Sequence, residues 1–153
     1  MSLANCCWPT ISSASGAPTR PTRRRRAIRP PAAHPEPVVE LVTIPAEQPA
    51  GLAVVEIREH GVTVGDADYR VCELCHLGVI EHVRVDPPFR RRGLATRAIT
   101  KLLTDWPNYS WSTSPINDHR ALCFWKSLDW PDPGTLGTPY ACIHMRQSDD
   151  RIS

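Results

Sequence analysis

Nowhere in its 153 residues does the chain hold an apolar run near the roughly 18 residues a membrane span needs, so no bilayer crossing is expected. The N-terminus lacks the basic-then-apolar layout of a secretory signal. The six cysteines are therefore expected as reduced thiols in the cytoplasm. Charge of one sign does not dominate, since the net charge is only +2. Residues 1–37 hold six arginines against Glu36, or +5, so residues 38–153 hold 12 basic and 15 acidic side chains, or −3. A net-acidic body argues against a nucleic-acid binder. No Gly-Lys-Ser/Thr follows a glycine-rich loop, which excludes a Walker phosphate loop, and no triplet of spaced glycines forms a dinucleotide fingerprint. The aromatic residues do not interleave with basic ones as a base-stacking platform requires.

What is present divides into three parts. Residues 1–37 are rich in Pro, Ser, Ala and Arg without apolar periodicity and read as a disordered tail. Residues 38–148 carry the pattern of one folded domain, and residues 149–153 form a short polar tail. Apolar content of 41% is enough for a core.

Within the domain, Val38–Ile44, Gly51–Arg58, Tyr69–Cys75 and Val79–Val85 read as strands. In the last of these, Val79, Glu81, Val83 and Val85 alternate with Ile80, His82 and Arg84, which sets Glu81 and His82 on opposite faces. Asp86-Pro87-Pro88 stops that strand. The period then changes. Leu94, Ala95, Ala98, Ile99, Leu102, Leu103 and Trp106 fall on one face of a helix of about three turns, which Pro107 ends. Tyr109–Thr113 reads as a strand, and Asn117 or Asp118 caps a second helix with Ala121, Phe124, Trp125 and Leu128 on its apolar face. Tyr140–Arg146 alternates as a last strand. The class is α+β or mixed α/β, a sheet with helices packed on it.

The most informative segment is Arg90-Arg91-Arg92-Gly93-Leu94-Ala95-Thr96, between the strand ending at Val85 and the long helix. A helix start offers unpaired amides and partial positive charge, the requirements of a phosphate cradle. Gly93 allows close backbone approach and a positive φ, and Ala95 is too small to block it.

These residues resemble the Gcn5-related N-acetyltransferases (GNAT). The family's Arg/Gln-x-x-Gly-x-Gly/Ala motif after a Val-x-Val-x-Pro strand end is matched by Val83-Arg84-Val85-Asp86-Pro87 and Arg90–Ala95. Asn117, Ala121 and Phe124-Trp125-Lys126-Ser127-Leu128-Asp129-Trp130 match its next motif, so the likeness spans about residues 77–130. It implies a mostly antiparallel twisted sheet flanked by helices and acetyl-CoA as cofactor. The main chain of Val83, Arg84 and Val85 would then hold the pantetheine arm, Arg90–Thr96 the pyrophosphate, and Asn117 and Trp125 would lie near the arm. It implies transfer of an acetyl group to an amine on a small molecule or protein. Glu81, on the strand leading to the motif, is the first candidate for the base, and His82 is its rival. A homodimer is left open, and no membrane or nucleic-acid partner is expected. Trp125 stands where the family often has a tyrosine acid, and an indole N–H cannot reprotonate a thiolate. Only Pro45–Ala50 joins the first two strands, where the family usually places helices that shape the acceptor site, so the first helices are expected to be missing. A non-catalytic acyl-CoA-binding or partner-binding module on the same scaffold is the alternative.

Cys72-x-x-Cys75-His76 invites a metal reading, but a strand would point the two sulfurs to opposite faces and no second pair stands at finger spacing. Core packing is expected for them, and no metal.

Overall fold

Five strands and three α-helices make up the computed structural model, which describes residues 37–150. The arginine-rich tail read over residues 1–37 lies outside the described residues except for Pro37, as do residues 151–153.

The strands are β1 (Val39–Ile44), β2 (Leu52–Glu59), β3 (Val62–Cys72), β4 (Leu77–Val85) and β5 (Ser110–Thr113), in spatial order β1-β2-β3-β4-β5. The first four pair antiparallel and β5 joins β4 in parallel. Each local turn has a cause. His60 and Gly61 both take positive φ (51° and 79°), the two-residue turn whose twist matches a hairpin. Pro45 to Gly51 closes the β1–β2 hairpin without any helix, as the short link requires.

Alternation decides the faces. Ala53, Val55 and Ile57 of β2, Ala67 and Tyr69 of β3, Ile80 of β4 and Trp111 of β5 form one buried cluster. Helix α1 (Leu94–Asp105) lays Leu94, Ala98, Ile99 and Leu102 onto that face, as its periodicity dictates. Helix α2 (His119–Ser127) starts where the Asp118 carboxylate accepts the Ala121 N–H at 2.9 Å, and it adds Trp125 to the same cluster.

The opposite face carries a smaller cluster of Cys72, Val79 and Met145 under helix α3 (Ile143–Asp150). Here the sequence reading is corrected, because Tyr140–Arg146 is not a strand. Alternation over seven residues also fits a helix when the buried positions recur at helical spacing, and here Met145 and Ser148 are both buried. Polar contacts hold α3 down. Ser148 Oγ donates to the Ala50 carbonyl at 3.2 Å, and Arg70 pairs with Asp149 at 2.6 Å.

The third strand is also longer and earlier than read. β3 begins at Val62 and ends at Cys72, leaving 73–76 as a turn with His76 at φ 51°. Gly65, Asp66 and Asp68 are poor strand formers, and pairing on both sides overrides them. None of the described helices is long and apolar enough to cross a membrane.

Candidate functional site

The candidate site is a fork between β4 and β5. Parallel pairing runs from Leu77 opposite Ser110 to Ile80 opposite Thr113, and it ends where the Ser114 N–H donates to the Ile80 carbonyl at 3.0 Å. Beyond Ile80, β4 continues to Val85 with no β5 partner.

A bulge sits at the fork. Asp68 pairs with His82 but Tyr69 pairs with Ile80, so Glu81 is the extra residue. The bulge turns Glu81 away from the Val83 and Val85 face that strict alternation assigns it. Ile80 and Val83 pack with the α1 cluster, whereas Glu81 reaches Arg70 and Ser114. His82 stands opposite Asp68 on the other face, so Glu81 and His82 do not point to opposite sides.

The bulge also changes which backbone groups face the open edge. The Asp86 N–H donates to the Val64 carbonyl at 2.9 Å, one step beyond the Gly65–Val85 pair. Antiparallel alternation then turns Arg84 and His82 toward β3, and it turns the N–H and C=O of Val83 and Val85 toward the open edge.

Past Val85, a 3₁₀ turn over Pro87–Phe89 leads into the arginine segment. The three arginines have different roles. Arg90 Nε donates to the Val85 carbonyl at 2.7 Å and closes the turn. Arg91 takes a left-handed φ of 62°, a region unfavourable for a side chain with Cβ. Arg92 forms a two-pronged ion pair with the buried Glu59 and lies over the Phe89 ring at 5.7 Å. That guanidinium holds the Glu59 carboxyl below its ordinary range. Gly93 has φ 73° and precedes α1 with no side chain capping it. The first bond back into the helix is Arg97 N–H to the Gly93 carbonyl, at 3.0 Å. The amides of Leu94, Ala95 and Thr96 lie ahead of it. A Cβ built on Gly93 meets nothing within 4 Å, so the cradle opens to solvent.

The other expected residues are placed as follows. Asn117 is exposed in the loop before α2. Trp125 is buried, edge-on to Phe124 and Trp130 at ring separations of 5.4 Å. Its indole fills the core. Both oxygens of Glu81 are engaged: Oε1 stands 3.3 Å from Arg70 Nε, and Oε2 accepts from Ser114 Oγ at 2.5 Å. Glu81 thus ties β3, β4 and the start of the β5 exit together at the fork. His82 is exposed.

Asp68 escaped the sequence reading. Burial, then the neighbouring Asp66, hold its carboxyl above the ordinary range. The folded chain therefore keeps a proton that the unfolded chain has released between the two values, and stability falls as pH rises through that window. Asp68→Asn is expected to raise the melting temperature at neutral pH and to converge with the unmodified chain in acid. Thermal melts from about pH 3 to about pH 8 check this, and an effect independent of pH contradicts it.

The expectation for the cysteines is corrected in its reason. Cys75 lies in the 73–76 turn, not in a strand, so its sulfur swings back to that of Cys72. Cys142 and His144 at the start of α3 complete a group of four whose ligand atoms all lie within 4.8 Å of one another. The crowded thiols perturb each other. Hydrogen bonding with Cys72 pushes the Cys75 thiol up to about 11. Burial raises that of Cys142, but the Met145 backbone and Cys72 outweigh it and bring it down to about 7. The spacing Cys142-x-His144 was the signal available in the sequence.

A cleft of about 810 Å³ lies elsewhere, bounded by the β1–β2 loop, the end of β3, Trp106 and α3. Trp106 follows α1, whose 12 residues put it about 18 Å from Gly93, so this cleft is separate from the Gly93 turn.

A family model described as the acetyltransferase (GNAT) family matches residues 17–136. The chain belongs to that family. Two structures of one solved acetyltransferase agree in fold. An aminoglycoside acetyltransferase from an uncultured soil metagenomic sample, in complex with trehalose, is 19% identical with a TM-score of 0.52, over 63% of this chain and 68% of that one. The same enzyme with sisomicin gives 19% and 0.50, over 60% and 66%. A GNAT family protein of Streptococcus pneumoniae gives 14% and 0.47, over 60% and 68%. The chain thus spans about two thirds of the length of these structures. No curated protein sequence matches it.

Proposed function

We propose that this GNAT chain transfers an acetyl group from acetyl-CoA to a primary amine of a small molecule or protein. The observation that carries the reading is the open β4 edge at Val83, which the Pro87–Phe89 turn and the arginine segment join to the uncapped amides after Gly93. The residues fit the cofactor. An extended amide-bearing arm can add to the free Val83 groups as a strand would. A pyrophosphate fits amides that nothing else caps, in a cradle that no Cβ fills. Bound acetyl-CoA supplies an activated thioester.

The chain's own residues do the rest. A backbone N–H of β4 beside the bulge would hydrogen-bond the developing oxyanion, and such a donor is worth about 10²–10³ in rate. His82 is assigned as the proton acceptor for the incoming ammonium, because it is exposed beside the fork and its imidazole has a nitrogen able to take a proton. Glu81 positions the fork, since both of its oxygens are already bonded. No acid is assigned to the leaving sulfur. The β1–β2 link carries no helix, so the acceptor side is open, which favours a bulky or flexible acceptor.

Thiol release from acetyl-CoA across an amine panel tests the activity. His82→Ala is expected to lower kcat about 10²-fold or more. Glu81→Gln is expected to have a smaller effect. Unchanged kcat in a folded His82→Ala chain sinks the assignment. The second reading, an acyl-CoA-binding module without turnover, is favoured by the burial of Trp125 where the family often has an acid. Binding without thiol release supports it.

A further inference from the structure

Cys72, Cys75, Cys142 and His144 come from two segments about seventy residues apart, yet their ligand atoms converge on one point. Cys72 ends β3, Cys75 lies in the following turn, and Cys142 and His144 flank the first residue of α3. The Nδ1 of His144 stands 3.5 Å from the Cys72 sulfur, 3.4 Å from that of Cys75 and 3.9 Å from that of Cys142. Zinc binds thiolate sulfur at about 2.3 Å and imidazole nitrogen at about 2.0–2.1 Å. A tetrahedron with those arms separates sulfur from nitrogen by about 3.5 Å and sulfur from sulfur by about 3.8 Å. The observed separations match the first figure within a few tenths of an ångström, before any ion draws the ligands in.

We propose that these four side chains form a structural zinc site that clamps helix α3 to the β3–β4 hairpin. Three thiolates and one imidazole are a closed donor set, with no position left for water or substrate, which distinguishes a structural from a catalytic zinc. Binding displaces one proton from each thiol to solvent, and no electron moves. Soft thiolates select zinc over magnesium or calcium.

The clamp has a consequence for the fork. Helix α3 contributes the Met145 carbonyl at 3.2 Å, Ser148 Oγ at 3.2 Å and Asp149 Oδ1 at 2.6 Å to the Arg70 guanidinium, which also meets Glu81. Zinc at one end of α3 thus positions Arg70, and through it the Glu81 bulge. The core beneath α3 has only Cys72, Val79 and Met145 fully buried, too little apolar contact to fix an eight-residue helix by itself.

The test measures metal in the full chain, purified reduced from zinc-supplemented cells. Elemental analysis is expected to find a single zinc per chain. Cys75→Ser and His144→Ala should lose it to background, and Cys123→Ser, whose sulfur lies outside the group, should keep it. Exchange of cobalt(II) into the unmodified chain is a measurement that no folding defect of a variant can confuse. It should give the intense visible absorption of a tetrahedral site together with sulfur-to-cobalt charge transfer. Zinc well below one per chain after reconstitution, weak octahedral-type cobalt absorption, or a Cys72–Cys75 disulfide in the freshly reduced chain overturns the proposal.

Discussion

Gly93→Val is expected to weaken coenzyme A binding at least about tenfold while leaving a folded sheet. The backbone at Gly93 is left-handed, where a side chain with Cβ costs about 1–2 kcal/mol and a β-branched one more. No atom stands within 4 Å of the added Cβ, so there is no clash to add to that strain. The melting temperature should therefore drop by no more than roughly 10 °C. The new methyl groups project into the open space in front of the Leu94, Ala95 and Thr96 amides, where a pyrophosphate must approach. Gly93→Ala should show the same strain with a smaller loss of binding. Titration calorimetry below the melting point of each variant separates the two effects. Unchanged affinity in a folded Gly93→Val chain means that the phosphate groups bind somewhere else.

Gly78→Val is expected to be the more damaging glycine substitution, and for the opposite reason. Gly78 lies in β4 opposite Trp111 of β5, and a Cβ there would come within 2.5–2.7 Å of three atoms of the indole ring. Trp111 is only 3% exposed and cannot swing into solvent. Either the ring leaves its place or the parallel pair opens, at a cost of about 3 kcal/mol, the upper end for overpacking. Trp111→Ala alone should cost about 3–5 kcal/mol by leaving a cavity. The double variant should cost less than the sum, because the valine then occupies part of the space the indole vacates. Urea denaturation of the three chains measures this, and additive costs contradict it. Since the β4–β5 pair ends two residues beyond Gly78, the same substitution should also blunt cofactor binding.

These two glycines mark what the order of amino acids reveals and what it conceals. Gly93 was legible because its neighbours form a strand end, a basic turn and a helix in direct succession, the local pattern on which the proposed cradle rests. Gly78 was silent, because its reason for being glycine is an indole more than thirty residues away. The same division runs through the site. Val83 and Val85 were expected to present main chain to the cofactor arm, but alternation alone put Glu81 with them. One extra residue in β4 changed its face, and a bulge leaves no mark in a run of apolar and charged residues. Arg92 is expected with the rest of Arg90–Thr96 at the pyrophosphate, yet Glu59, 33 residues earlier, holds its guanidinium. The half-site Cys72-x-x-Cys75 was visible, whereas Cys142-x-His144 lies in a segment whose seven-residue alternation fits a strand and a helix alike, so nothing local linked the two pairs. The hairpin β1–β2 and the helix α1 were plain from spacing, since strong periodicity survives folding where single-residue turns do not.

The central claim is that the fork past Ile80 and the Gly93 turn together form a coenzyme A site. It is tested most directly by calorimetric titration of the full chain with acetyl-CoA, set beside acetyl-pantetheine, which keeps the arm but lacks the pyrophosphate. The account predicts saturable binding of acetyl-CoA at one site per chain, weakened severalfold by added pyrophosphate, and much weaker binding of acetyl-pantetheine. No saturable heat with acetyl-CoA, or equal affinity for both ligands, would contradict it.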